Sequence, residues 1–146
     1  MKTDHIVALI GRVREQANNL IVAELEKRGH SGMAPSHGAI LQALFTRGPM
    51  HMSALAEAIG KQKNTVTTLV GKLEQAGYVT KSPSQEDSRV TLVSLSGKAL
   101  AAKADFDAIS HTLLDAVWGD MPQADRETLV AGLEKVLRNI SLKTIF

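Results

Sequence analysis

Between Lys63 and Lys72 the chain carries side chains suited to one kind of chemistry. Lys63, Asn64, Thr65, Thr67, Thr68 and Lys72 are cationic or hydrogen-bonding, and they are interleaved with Val66, Leu69, Val70 and Leu73. The apolar set falls at i, i+3, i+4 and i+7, so a helix from Lys63 to Gln75 would have one buried face and one polar face. Threonine can bond several base edges and touch the thymine methyl group, and asparagine pairs well with adenine. The β-branched run Thr65 to Thr68 is a poor choice for helix propensity alone, which favours a recognition role over a merely solvated face. With Asn64 as cap, the open N–H groups at this helix start would favour a phosphate. Downstream, Asp87 precedes Arg89 by two residues. At that spacing the carboxylate can accept from the guanidinium and fix its direction. An arginine so held suits a narrow minor groove. Ser53, Lys61 and Lys81 complete the candidate contact set for double-stranded DNA.

The elements that must position these groups are a short helix pair and a hairpin. Ser53 to Ile59 predicts a first, supporting helix with Leu55, Ala56 and Ile59 inward. Gly60-Lys61-Gln62 makes the turn, and Gly77 ends the second helix. Tyr78 to Lys81 and Arg89 to Leu95 read as strands around the polar loop Ser82 to Ser88. The order is a helix-turn-helix followed by a two-stranded β-hairpin wing, a mainly α (α+β) fold.

Helices flank this lobe. Asp4 to Arg28 repeats apolar residues over about six turns, long for a small domain. Ser36 to Arg47 follows, with Pro35 suited to its first turn. After the wing, Ser96 is placed to cap a helix running toward Trp118, with a stripe through Leu100, Ala104, Ile109, Leu113, Leu114 and Val117. A last helix spans about Pro122 to Asn139. The two ends carry more apolar surface than one small domain needs, so a homodimer interface is expected from them, with an intramolecular bundle as the plainer reading. The whole is read as one domain over residues 1–146. Residues of about 1–34 and 100–146 form dimerisation helices, and about 35–99 form the DNA-binding lobe.

Composition narrows the function. The chain has 146 residues, is 44% hydrophobic and contains no cysteine, which removes disulfides, thiolate metal sites and thiol redox sensing. With 3% aromatic residues, base stacking on aromatic platforms is not expected. No apolar run approaches the roughly 20 residues of a membrane span. The start turns charged too soon for a signal peptide, and the expected location is the cytoplasm. The formal charge is +2, and the basic excess gathers in the middle third while the last third is acidic, an asymmetry that polyanion binding would produce. No nucleophile–base pair, paired carboxylates or phosphate-cradling glycine loop marks an enzyme. His30, His37 and His51 do not have ligand spacing, so neither a metal nor a cofactor is expected.

The run LAEAIGKQKNTVTTLVGKLEQAGYVTKSPSQEDSRVTLVSLSGKAL resembles the winged-helix core of the MarR family of bacterial transcription regulators. The likeness rests on Leu55-Ala56-Glu57, Thr65-Val66-Thr67, Leu73-Glu74 to Gly77-Tyr78-Val79, Asp87-x-Arg89, and Val93-Ser94-Leu95-Ser96 with Gly97, and covers about a third of the chain. It implies a homodimer on a pseudo-palindromic operator, and repression relieved by a small ligand. It also implies an effector pocket beside the dimer helices, to which His37, Leu41 and Phe106 are assigned. The family often has arginine at the positions of Thr68, Lys81 and Ser88, so Arg89 stands more alone in this wing. A winged-helix protein-interaction module without DNA binding shares the fold and is the alternative.

Overall fold

Val66, Val70 and Leu73 are almost fully buried and Leu69 half-buried, so the helix that carries the polar set, α4, forms over Lys63–Gln75 as its periodicity predicts. The computed structural model describes residues 1–145. Along the chain the elements are α1 (Ile6–Lys27), α2 (Pro35–Arg47), β1 (Met50–His51), α3 (Met52–Ile59), α4, β2 (Val79–Pro83), β3 (Thr91–Leu95), α5 (Gly97–Ala101), α6 (Lys103–Trp118) and α7 (Gln123–Ile145). Two compact units result, Met1–Leu113 and the segment from Leu114 onward.

The helix pair is set by two glycines. Gly60 takes φ 66° at the end of α3, and the Lys61 N–H reaches back to the Ala56 carbonyl at 3.0 Å. Gly77 takes φ 86° after α4, and the Tyr78 N–H donates to the Leu73 carbonyl at 2.9 Å. In each case the left-handed residue lets the chain turn while orphan carbonyls of the last helical turn are satisfied. The core of this unit gathers Ile40, Leu41 and Leu44 of α2, Leu55 of α3, Val66, Val70 and Leu73 of α4, and Val79 and Val93 of the sheet. Fully burying a Leu, Ile or Val side chain is worth about 1.5–3 kcal/mol, so this packing, rather than threonine-rich helix propensity, holds α4 in place.

The structure departs from the sequence reading at several points, and the strand read as Tyr78 to Lys81 runs instead from Val79 to Pro83. The wing hairpin pairs β2 with β3, Val79 opposite Leu95 and Pro83 opposite Thr91. A third strand joins it, because Met50–His51 pairs with Val93 and Leu92 to give the order β1-β3-β2. The return strand starts at Thr91, so Arg89 belongs to the loop and not to the strand. Asn64 lies inside α4. The cap residue is Gln62, which offers no side-chain bond, so the first-turn N–H groups have no side-chain cap. The helix predicted from Ser96 to Trp118 is broken at Ala102. Its inward residues are Ala99, Ala102, Phe106 and Ile109, whereas Leu100 is 58% exposed. Finally, the last helix continues to Ile145, past Asn139. Ser96 does cap α5, accepting from the Ala99 N–H at 3.3 Å while its hydroxyl donates to the Gly77 carbonyl.

Neither end of the chain is satisfied by its own packing. α1 has 22 residues and buries only Leu25, leaving Val7 72% and Val13 56% exposed. In the second unit, no α7 residue among those described is buried, and Leu129, Val130, Leu133, Leu137, Ile140 and Leu142 are all exposed. No helix among the described residues is long and apolar enough to cross a membrane.

Candidate nucleic-acid interface

The polar face of α4 is open along its length. Lys63, Asn64, Thr65, Thr67, Thr68 and Lys72 are exposed. Two hydroxyls are already committed to the helix. Thr67 Oγ1 donates to the Lys63 carbonyl at 2.9 Å and Thr68 Oγ1 to the Asn64 carbonyl at 3.2 Å. A threonine that has spent its hydrogen on the preceding turn can offer acceptor lone pairs and a methyl group. That combination fits a base-edge amino donor or a thymine methyl. Ser53 is exposed at the start of α3, and Lys61 is half-buried in the turn between α3 and α4.

The wing loop is shaped before it meets anything. Ser84 is buried; its N–H donates to the Val90 carbonyl at 2.8 Å and its Oγ accepts from the Glu86 N–H at 3.3 Å. The Val90 N–H closes on the Asp87 carbonyl at 3.0 Å. Within that turn Asp87 takes three bonds from Arg89. The backbone N–H and Nε both donate to Oδ1, and Nη2 donates to Oδ2, each at 3.1 Å. This is the fork-to-fork arrangement anticipated from the spacing. It holds the Asp87 carboxyl below its usual range, chiefly through the side-chain bond from Arg89 and then the backbone one. The Arg89 side chain is 88% exposed, so the pair adds little to stability. Its consequence is directional: a long, mobile cation is held in one orientation at the tip.

Glu74 entered the sequence reading only as part of the exit motif after α4, with no contact assigned to it. It sits near the end of α4 and pairs with Lys81 of β2, Nζ to Oε1 at 3.3 Å. The two segments, on either side of the Gly77 turn, meet only because that turn folds β2 back along α4, so spacing alone gave no signal. Lys81, a candidate phosphate contact, is thus engaged by a carboxylate. Glu74→Gln is expected to tighten duplex binding about two- to fivefold, the range an exposed ion pair of up to about 1 kcal/mol allows. It should also steepen the salt dependence by about 0.9 in log–log slope if Lys81 gains a phosphate. Titration of a labelled duplex at several salt concentrations measures both, and unchanged affinity and slope would remove Lys81 from the contact set.

The residues assigned to an effector pocket separate. Phe106 lines a cleft of about 190 Å³ with Ile21 and Leu25 of α1, Gly38 and Gln42 of α2, and Ile109 of α6. His37 lines a different, smaller hollow with Ser31, Lys72 and Tyr78. There its Nδ1 accepts from the Ala34 N–H at 2.8 Å, and burial, then the charge of Lys72, lowers its pKa. Leu41 is 1% exposed and belongs to the core. Among the described residues no group of three or more His, Asp or Glu is arranged to hold a metal.

Comparison with known proteins agrees with this geometry. Residues 34–91, which run from the residue before α2 to the first residue of β3, match the MarR family. The HTH-type transcriptional regulator SarZ of Staphylococcus haemolyticus is 26% identical over 100 residues, 68% of this chain and 67% of that protein. Among solved structures, a mutant MarR from E. coli complexed with operator DNA superposes with a TM-score of 0.81 at 18% identity, covering 92% of this chain and 94% of that one. Bordetella bronchiseptica BpsR, whose DNA binding is regulated by 6-hydroxynicotinic acid, superposes with a TM-score of 0.80 at 18% identity, covering 93% and 95%.

Proposed function

We propose, from the premise that this chain carries the winged-helix lobe of the MarR family of transcriptional regulators, that it is a cytoplasmic homodimer binding pseudo-palindromic double-stranded DNA. The observation that carries the reading is the pairing of an open Lys/Asn/Thr face on α4 with a wing arginine already oriented by its neighbouring carboxylate. In this reading α4 enters the major groove, with Asn64, Thr65 and Thr68 at base edges. Ser53, Lys61, Lys63, Thr67, Lys72 and Lys81 steady it on phosphates, and Arg89 lies in the minor groove. The uncapped first turn of α4 adds free N–H donors toward the backbone phosphates.

Dimerisation follows from the unburied ends. α7, 23 residues long with no buried residue among those described, leaves its apolar stripe open to water in the single chain. A second copy supplies the missing apolar surface to α7 and to the start of α1. The protein acts as a repressor released by a small molecule. Support for ligand response comes from the apolar cleft around Phe106 and from the regulated relative BpsR.

Selection of bound sequences from random duplex DNA tests the proposal. Two related half-sites about one helical turn apart, roughly 10 bp centre to centre, are the expected outcome. No enrichment at low salt would sink it. On the selected duplex, Thr68→Ala is expected to relax preference at one base pair by about 1–3 kcal/mol of discrimination while changing affinity for random duplex less than about threefold. Selection repeated with the variant reads that difference.

A further inference from the structure

One residue of α4 has no reason within the chain to be what it is. Gly71 stands in the interior of the helix, where glycine is among the poorest residues because it gives up the most backbone freedom on folding. Gly60 and Gly77, which bound the helix pair, take positive φ and are explained by their turns. Gly71 makes no turn and its φ is not positive, so an L side chain would suit its backbone. A Cβ added there meets no atom within 4 Å, so no neighbour in the fold requires its absence. Three other helix-interior glycines are unopposed as well. Gly38 lines the Phe106 cleft, and Gly11 and Gly132 belong to α1 and α7, the helices with unburied apolar surface. Gly71 alone of the four lies on the polar side of α4.

Its place on the helix supplies the reason. Asn64, Thr68, Gly71 and Gln75 fall at i, i+4, i+7 and i+11 and form one ridge, on the side opposite the buried Val66, Val70 and Leu73. The middle of that ridge is low. The Thr68 hydroxyl is turned back onto the Asn64 carbonyl at 3.2 Å, and Gly71 adds no side chain at all. Lys63 and Lys72 are exposed on either side of the ridge. A low centre between two long cations matches the cross-section of a major groove, with base edges for its floor and phosphates for its walls. Side chains as short as threonine and asparagine reach base edges only when the helix backbone comes close to that floor. A Cβ in the middle of the ridge would hold it off.

We propose that base edges of the major groove pack directly against the bare backbone of α4 at Gly71. This rests on the reading of the chain as a DNA-binding protein and adds a residue that sets how deeply its helix sits. Contact at Gly71 belongs to the sequence-specific complex. A protein held on arbitrary duplex by phosphate contacts has no need to bring its helix to the groove floor. The glycine thus lowers the stability of the free protein and permits closeness in the complex, so the two properties should move in opposite directions when a side chain is added.

Gly71→Ala and Gly71→Leu in the full-length protein test this, since both residues favour helix more than glycine does. Thermal unfolding is expected to show the alanine variant raised by about 2–4 °C, with the leucine variant no lower than wild type. On the selected duplex, affinity is expected to fall about tenfold for alanine and further for leucine, as for a lost base contact. Affinity for duplex of random sequence should stay within about threefold. Wild-type affinity for the selected duplex in both variants would overturn the proposal and leave Gly71 a solvated position. An equal loss on selected and random duplex would also overturn it, because the added side chain would then be meeting phosphates and not bases. A midpoint lowered in both variants would show that the position is packed within the protein, and would count equally against it. Wild-type protein that binds no duplex at all would remove the DNA-binding reading itself, whereas wild-type binding with unchanged variants removes Gly71 alone.

Discussion

Leu133→Asp together with Leu137→Asp is expected to convert a dimer into a monomer and to weaken binding to a two-half-site duplex by at least about a hundredfold, the lower range of what linking two binding modules gains. The two leucines are one helical turn apart on α7 and are 39% and 66% exposed in the single chain. Leu129 and Ile140 extend the same stripe. Each leucine covered by a second copy contributes about 1.5–3 kcal/mol, and a carboxylate in its place would have to be desolvated without a partner. The single-chain core contains none of these residues, since the buried set lies between Leu25 and Ile109. The winged-helix lobe should therefore remain folded, and one half-site should be bound with the weak affinity of a lone lobe. Analytical ultracentrifugation with a paired titration on one-site and two-site duplexes distinguishes the cases. A variant that stays dimeric places the interface elsewhere; a monomer that keeps full two-site affinity would mean that the halves do not act together.

The sequence was most legible where one face is apolar and the element is bounded by glycine. The limits of α4 are found at Lys63 and Gln75 because Val66, Leu69, Val70 and Leu73 mark its face and Gly77 stops it. The Asp87–Arg89 fork was equally visible, since a two-residue spacing in a turn is a local matter. Tertiary context decided the rest. The stripe drawn through Leu100 failed because the inward positions there are Ala99 of α5 and Ala102 at the break before α6, small enough for close approach and too weakly hydrophobic to stand out. The two-residue strand β1 is too short to carry a period, and only its pairing with Val93 and Leu92 defines it. His30 was weighed only with His37 and His51, as histidines without ligand spacing. Its partners, Tyr78 and Asp105, lie 48 and 75 residues away, beyond any local pattern.

Arg89→Ala is expected to lower duplex affinity about ten- to a hundredfold, matching the roughly 1–3 kcal/mol of a well-oriented arginine contact. The side chain is 88% exposed and bonds only to Asp87 among the described residues. Its removal should therefore leave the thermal midpoint within about 4 °C, because exposed pairs contribute about 0–1 kcal/mol. Two companion variants separate charge from orientation. Arg89→Lys keeps the charge but cannot reproduce the planar fork, so it should recover the salt dependence and only part of the affinity. Asp87→Ala frees the guanidinium, which must then be ordered at the moment of binding. Its loss should be smaller than that of Arg89→Ala and should fall mainly on affinity, since removing a nearby carboxylate also eases approach to phosphate. The order expected is therefore wild type, then Asp87→Ala, then Arg89→Lys, with Arg89→Ala weakest. Equal affinities for all four on the selected duplex would show that the wing is held in shape for some purpose other than DNA. The three-bond grip of Asp87 on Arg89 would then have to be read as the formation of a turn, with the guanidinium serving the loop instead of the groove.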